Sequence, residues 1–509
     1  MAPMEHMAVI DMGSNSWRLV VYGYEPGRYW QHVDEIREAV RVSQGMEGTD
    51  RIQPEPFERA LHTAHVFNAF CASSGIDDVV ALATSAIRDA ENGEELIDAI
   101  RAESDFDVRV ISGRDEARYG YLAIANSTTI EDGFGIDIGG GSVQLMRIEG
   151  RELADAESWP LGAVRMSEAF LPDGESSGKA MKLLRKHVRK QVGDWLDEQG
   201  GRVVGIGGTV RNLAVAAERR TGIEGGDAQG FRLERDALED LIEELASMSP
   251  GKRGGVPGIK PDRGDVILGG AVVLSELMEA GAFKELEVSE AGLREGAFFE
   301  RFLDDRDPPL FGVVREASVI NLANRYEDDL HHQRHVAKLS LELYDALGKK
   351  KLVEPDDAER ELLWAASMLH DIGTAVDYDD HHKHSQYLIL NAGLDGFDPR
   401  EVGLIALIAR YHRKGEPSVD DLGKLAKKRD AERLEVLAGI IRLVEQLERS
   451  RDCLIAEVRL ASRNGKLRLE AMTADGDPSV AIWSARRNAD LLERAIDQEL
   501  EIIESHETG

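Results

Sequence analysis

The run Phe134-Gly135-Ile136-Asp137-Ile138-Gly139-Gly140-Gly141-Ser142-Val143-Gln144-Leu145 passes from an apolar segment through an aspartate, three glycines and a serine into a second apolar segment. That order predicts strand, tight turn, strand. Glycines lack Cβ atoms, so the backbone can take positive φ and turn successive N–H groups toward an anion, and Ser142 adds a hydroxyl donor. Asp137 stands at the lip of the turn, where a carboxylate can hold a divalent cation or a water against a bound phosphate. One glycine hairpin is structural about as often as it binds phosphate. A second follows the same plan: Met7-Ala8-Val9-Ile10-Asp11-Met12-Gly13-Ser14-Asn15-Ser16-Trp17-Arg18-Leu19-Val20-Val21-Tyr22. Two such hairpins predict a duplicated unit whose copies face a shared cleft. Neither turn carries the lysine of a P-loop or opens a helix as a dinucleotide fingerprint does. A third turn, Val203-Val204-Gly205-Ile206-Gly207-Gly208-Thr209-Val210-Arg211-Asn212-Leu213-Ala214, does run from strand into helix, so its N–H groups can meet another phosphate.

Around these turns the chain is long and acidic. Its 509 residues exceed one core and suggest three or four domains. The formal net charge of −32 disfavours nonspecific binding to nucleic acid or an anionic membrane. It also repels a phosphate polymer, so such a substrate needs a local basic path and bound cations. Residues 178–198 read as a helix carrying Lys179, Lys182, Arg185, Lys186, Arg189 and Lys190, either a solvated surface helix or a polyanion-guiding edge. The glycine-rich run 251–258 reads as a loop over the cleft. Cys71 and Cys453 cannot build a disulfide framework, no signal-peptide pattern precedes the first strand, and no apolar run reaches membrane-spanning length. A soluble, cytoplasmic protein is the expectation.

The three turns, with Ala83-Thr84-Ser85-Ala86-Ile87-Arg88-Asp89-Ala90, the segment 110–118 and Val288-Ser289-Glu290-Ala291-Gly292-Leu293-Arg294-Glu295-Gly296, resemble the exopolyphosphatase / guanosine pentaphosphate phosphatase (Ppx/GppA) family. The resemblance runs in consistent order from about residue 7 to 300. It implies an α/β fold of two actin-like ATPase (ribonuclease H-like) halves flanking a cleft, residues 1–126 and 127–304. It implies Glu116 as general base, with Asp115, roughly 100° away on the same helix, not interchangeable with it. Phosphate contacts fall to Gly13, Ser14, Asn15, Arg88, Gly139, Gly140, Gly141, Ser142, Gly207, Gly208 and Thr209. Asp11 and Asp137 would hold Mg²⁺ or Mn²⁺, and a monovalent cation such as K⁺ is a further implied cofactor. Gln144 departs from the family, many of whose members carry glutamate there; an amide is a weaker ligand, which predicts looser Mg²⁺ binding.

Beyond the charged, proline-rich segment 304–309 the pattern turns helical. Residues 310–453 resemble an HD-like, metal-dependent phosphohydrolase domain, with His335, His370, Asp371 and Glu445 at its ligand positions and His384 and His412 on later helices. A second hydrolase, an inactive metal site and a structural role are all compatible with it. Residues 454–509 read as a small α+β unit of two strands and a helix from Ser484 onward. The reaction so implied is hydrolysis of terminal phosphate from inorganic polyphosphate, with guanosine pentaphosphate as the alternative substrate and a nucleotide phosphohydrolase in the HD-like domain as another. A kinase or a polyphosphate sensor are the rivals, and a homodimer is what the resemblance implies.

Overall fold

The computed structural model describes residues 4–506 apart from 47, 173–175, 197–199, 222–227, 464–465 and 474–475. They form two compact units, Met1–Val314 and Arg315–Gly509.

The first unit contains two sheets. One is built from β1 (Glu5–Met12), β2 (Trp17–Glu25), β3 (Tyr29–Glu38), β4 (Asp78–Ala83) and β5 (Val108–Val110), in the order β3-β2-β1-β4-β5. The other holds β6 (Gly133–Ile138), β7 (Val143–Glu149), β8 (Glu152–Trp159), β9 (Val203–Ile206), β10 (Arg232–Glu234) and β11 (Glu285–Val288), in the order β10-β11-β9-β6-β7-β8. In each sheet a hairpin and a third antiparallel strand are followed by parallel partners, β4 and β5 beside β1, β9 and β11 beside β6. The second sheet therefore repeats the first, with β10 added at its edge. The paired hairpins predict this duplication, and its actin-like, ribonuclease H-like form is the one the family resemblance implies. The inner strands are continuously apolar, Met7 to Ile10 being fully buried, because helices cover both faces. The edge strand β3 carries the exposed acids Asp34 and Glu35 instead.

The helix Gly113–Ser127 begins at a capping box. Ser112 Oγ accepts from the Asp115 N–H at 3.1 Å, and Asp115 Oδ2 accepts from Ser112 N–H and Oγ. Asp115 is thereby spent on the helix start, and Glu116, one residue on, turns inward. The helix packs closely on Leu293–Phe302, where Gly296 has no Cβ to strike the Tyr119 carbonyl. Two readings change here. The cationic helix spans Gly178–Val192 and gives way to a 3-10 turn at Gly193–Leu196; the end expected at Glu198 lies outside the described residues. The run 251–258 is helical over its first three residues, within Pro250–Arg253, and turns follow from Gly254 to Gly258; fully buried Arg253 donates through Nε to the Leu245 carbonyl at 2.8 Å, and no residue of the run lines the cleft.

In the second unit the helices His331–Lys349, Asp357–Leu369, His381–Ala392, Pro399–Tyr411 and Asp430–Leu447 close on a core that includes Leu339, Leu343, Leu363, Leu404 and Ile441. A three-stranded sheet follows, β12 (Ile455–Arg463), β13 (Lys466–Thr473) and β14 (Leu500–His506). The single helix expected from Ser484 is two short ones, Ser479–Arg486 and Asp490–Ile496, and then β14 parallel to β13. Asp497 takes left-handed φ of 51°, which ends the helix and frees the β-branched pair Ile502 and Ile503 to pair as a strand.

Candidate active site

The duplication brings two aspartates into one cleft. Asp11 and Asp137 are each the last residue but one of the leading strand of their hairpins, paired across the ladder with Arg18 and Gln144. Both line a cavity of about 870 Å³, counting the part open to solvent, together with residues of all three glycine turns, Glu116, and the guanidiniums of Arg18, Arg211, Arg263 and Arg294. The carbonyls of Gly139 and Gly140 accept from the N–H groups of Ala163 and Val164 at 3.0 and 2.9 Å, which fixes the turn from behind. Gly207, at φ of 89°, must be glycine twice over: its conformation is left-handed, and a Cβ would strike Asp137 Oδ1.

Burial governs the charges here. It pushes the Glu116 carboxyl up to about 8, with Arg88 pulling down and Asp137 pushing further up. Asp137 is pushed up to about 6 by burial and then by Asp11, and Asp11 is itself raised by burial. Two half-buried carboxylates that oppose each other's ionisation form an oxygen-only donor set suited to a hard divalent cation. In the same cleft, burial lowers Arg18 and Arg263 to about 10, helped by the neighbouring guanidiniums Arg294 and Arg211 for the first and Arg37 and Arg211 for the second. Cations crowded this closely are stabilised by an anion between them.

The Ppx/GppA phosphatase family profile matches residues 20–304, and the profile of that family's domain III matches residues 314–476. The chain belongs to the Ppx/GppA phosphatase family. Among solved structures, the Ppx/GppA family member of Aquifex aeolicus is 26% identical, with a TM-score of 0.52, over 60% of this chain and 99% of that one. An exopolyphosphatase-like protein is 27% identical, with a TM-score of 0.53, over 59% of this chain and 100% of its own. An exopolyphosphatase from Cytophaga hutchinsonii shares the fold at 22% identity and a TM-score of 0.55, over 58% of this chain and 98% of its own. This Ppx/GppA protein is a phosphatase, a hydrolase of the family's kind.

Most residues that the Ppx/GppA resemblance singles out meet in the cleft: Asp11, Gly13, Ser14, Asn15, Glu116, Asp137, Gly139, Gly140, Ser142, Gly207 and Gly208. Three do not line it. Arg88 donates through Nη1 to Glu116 Oε2 at 3.2 Å and to the Ile111 carbonyl at 3.0 Å, so it touches the expected base rather than the space for phosphate. Gly141 lies where a Cβ would press on the hydroxyls of Ser85 and Ser14, and serves the close approach of the two hairpins. Thr209 is buried, its Oγ1 without a hydrogen bond. Gln144 is fully buried, does not line the cleft, and donates to Ser142 Oγ at 2.8 Å and Ser158 Oγ at 3.0 Å.

The guanidiniums are what the sequence reading missed. Arg18, Arg211 and Arg294 lay inside quoted motifs but had no charge-specific signal, and Arg263 had none at all. The cationic cluster evident in the sequence is residues 178–198, where Arg185 is tied to Glu239 at 2.8 Å and Arg189 to Glu276 at 2.6 Å. Arg185 and Arg189 thus carry acidic partners, as Arg18 and Arg211 of the cleft do with Glu35 at 3.5 Å and Glu290 at 3.4 Å.

In the helical unit, His370, Asp371 and Glu445 converge, but the fourth member is His332, not His335. His335 instead places Nε2 at 2.9 Å from the Ile455 carbonyl. Both lie on His331–Lys349, three residues apart, and His332 holds the more buried position. Asp371 is shared with a second group containing His381 and His412; His384 belongs to neither. Arg451 Nη2 contacts Asp371 Oδ2 closely.

Proposed function

We propose that this phosphatase removes terminal orthophosphate from inorganic polyphosphate. One observation carries the choice of substrate: the cleft is lined by four guanidiniums, yet among its described lining residues none is aromatic. A wall of cations suits a chain of phosphates, and a guanine base would find no stacking platform. The backbone turns and guanidiniums orient the terminal phosphoryl group, and Glu116 in its ionised form takes a proton from water. The water oxygen bonds to the terminal phosphorus, the bridging P–O bond breaks, and its electron pair stays on the shortened chain. Arg88 keeps the Glu116 carboxylate oriented and more acidic than burial alone would leave it. Asp11 and Asp137 would hold Mg²⁺, or Mn²⁺, which when bound supplies neutralising charge to the phosphate oxygens.

The remaining readings are proposals too: a cytoplasmic location, which the cysteine content favours, and, from the family resemblance, a homodimer, two phosphatase halves meeting near residue 126, an HD-like helical segment and a small C-terminal segment from residue 454. For the described residues, no helix is long and apolar enough to cross a membrane.

The test is orthophosphate release by the purified protein with Mg²⁺ and no acceptor, from polyphosphate and from guanosine pentaphosphate in parallel. The expected result is a higher kcat/KM for polyphosphate. Hydrolysis of the nucleotide alone would assign the cleft to guanosine pentaphosphate. Turnover that requires ADP or another acceptor would make the protein a kinase.

A further inference from the structure

Apart from the cluster around Asp371, three segments of the second unit bring a thiol, two imidazoles and a carboxylate together. His331 and His335 stand four residues apart on the helix His331–Lys349 and so share one face of it. Glu448 follows the end of the helix Asp430–Leu447, and Cys453 stands two residues before β12. Cys453 Sγ is 3.3 Å from His331 Nδ1, and the Cys453 N–H donates to Glu448 Oε1 at 2.8 Å. The ligand atoms of His335, Glu448 and Cys453 all lie within 4.8 Å of one another.

The carboxylate is the telling member. Glu448 is 0% exposed, yet its Oε2 has no hydrogen bond and lies 3.7 Å from His335 Nε2, beyond hydrogen-bond reach. A buried carboxylate oxygen left without a donor is costly unless a cation meets it. Ligands of a tetrahedral zinc ion, bound at about 2.0–2.3 Å, sit about 3.3–3.7 Å from one another. The Sγ–Nδ1 and Oε2–Nε2 separations already match that spacing. None of the four residues belongs to the groups that contain Asp371. A set of sulfur, nitrogen and oxygen suits a borderline-soft ion, where the aspartates of the phosphatase cleft offer oxygen alone.

We propose that His331, His335, Glu448 and Cys453 together hold one Zn²⁺, which staples the start of one helix, the end of another and the turn into the three-stranded sheet. On binding, the Cys453 thiol releases its proton to solvent. His335 Nε2, which donates to the Ile455 carbonyl at 2.9 Å, exchanges that hydrogen bond for the metal, and the ring proton moves to Nδ1. His331 is exposed, which gives the ion an entry path from solvent. Four protein ligands leave no open position for a reacting water, so the site is structural, and its binding free energy goes into holding the sheet against the helices.

The experiment titrates the full chain with Co²⁺ as a spectroscopic stand-in for zinc. A near-ultraviolet thiolate-to-cobalt charge-transfer band reports this site alone: the groups around Asp371 and the described lining of the phosphatase cleft contain no sulfur ligand, and the other cysteine, Cys71, is buried on the helix Pro54–Ser74. The parent should show the band, and Zn²⁺ should displace it. Cys453→Ser should abolish it, and His331→Ala, a change at an exposed position, should weaken cobalt binding at least about tenfold, the loss of one ligand. As a measurement needing no variant, alkylation of Cys453 by iodoacetamide, located by mass spectrometry, should slow at least about tenfold in the zinc-loaded parent. Absence of the band from the parent, its survival in Cys453→Ser, unchanged cobalt affinity in His331→Ala, or alkylation at one rate with and without zinc would overturn the proposal.

Discussion

Replacing Glu116 by glutamine isolates what burying its charge does to stability. Glu116 is 7% exposed, and its carboxyl titrates at about 8 instead of 4.5. Between those values the folded chain holds a proton that the unfolded chain has released, so folding stability falls as pH rises and the loss is complete above about pH 8. At about 1.4 kcal/mol per pH unit, the full loss is on the order of 5 kcal/mol. Water entering the open side of the cleft raises the local dielectric and reduces this to roughly 2–3 kcal/mol. Glutamine keeps the shape and carries no charge at any pH. Glu116→Gln should therefore be about 2 kcal/mol more stabilising, relative to the parent, at pH 9 than at pH 5.5. For a unit of this size that corresponds to an added gain in Tm of about 3–4 °C. Scanning calorimetry of the full chain at a series of pH values reads it directly. A Tm difference that stays constant from pH 5.5 to 9 would refute the claim that a buried, ionisable carboxyl stands at this position.

Three more outcomes follow from the same geometry. Because ionised Glu116 is the reactive form, kcat/KM for the parent should rise with pH to a plateau above about 8, and Arg88→Met, by removing the group that acidifies Glu116, should move that limb up by about one pH unit in the pH–rate profile. Gly207→Ala forces a strained φ and drives a Cβ onto Asp137, so kcat should fall at least about tenfold with a raised Mg²⁺ requirement in a metal titration. Arg263→Met should raise KM for polyphosphate about tenfold at low ionic strength with little change in kcat, and flatten the dependence of KM on salt.

The duplicated fold was legible because Asp11-Met12-Gly13-Ser14 and Asp137-Ile138-Gly139-Gly140 carry the same local signals, and a turn this tight leaves few residue choices. Glu116 stood out from Asp115 only through the family resemblance; the capping box that uses Asp115 and turns Glu116 inward is visible only in the structure. The four guanidiniums were not legible: an arginine near the start of a strand or helix, or in a short turn, reads the same whether it meets solvent or a cleft, and only the tertiary approach of separate segments decides. His332 was not singled out, and His335 was named in its place, for a related reason. In His331-His332-Gln333-Arg334-His335 every ring is a candidate, and the buried face of the helix is set by partners far along the chain. Strand β14 was hidden because Asp490 to Ile496 is helical in pattern and the left-handed turn at Asp497 has no strong sequence signal.

The central claim is that water is activated by Glu116 in the cleft between the two repeated sheets. Its most direct test is kcat for orthophosphate release from polyphosphate by Glu116→Gln, run in ¹⁸O-labelled water with Mg²⁺ at saturation. The account predicts a fall of at least about 100-fold with KM little changed, and one labelled oxygen in each orthophosphate the parent enzyme releases. Release by Glu116→Gln at more than a tenth of the parental rate, on the order of what a misplaced side chain alone would cost, would contradict it.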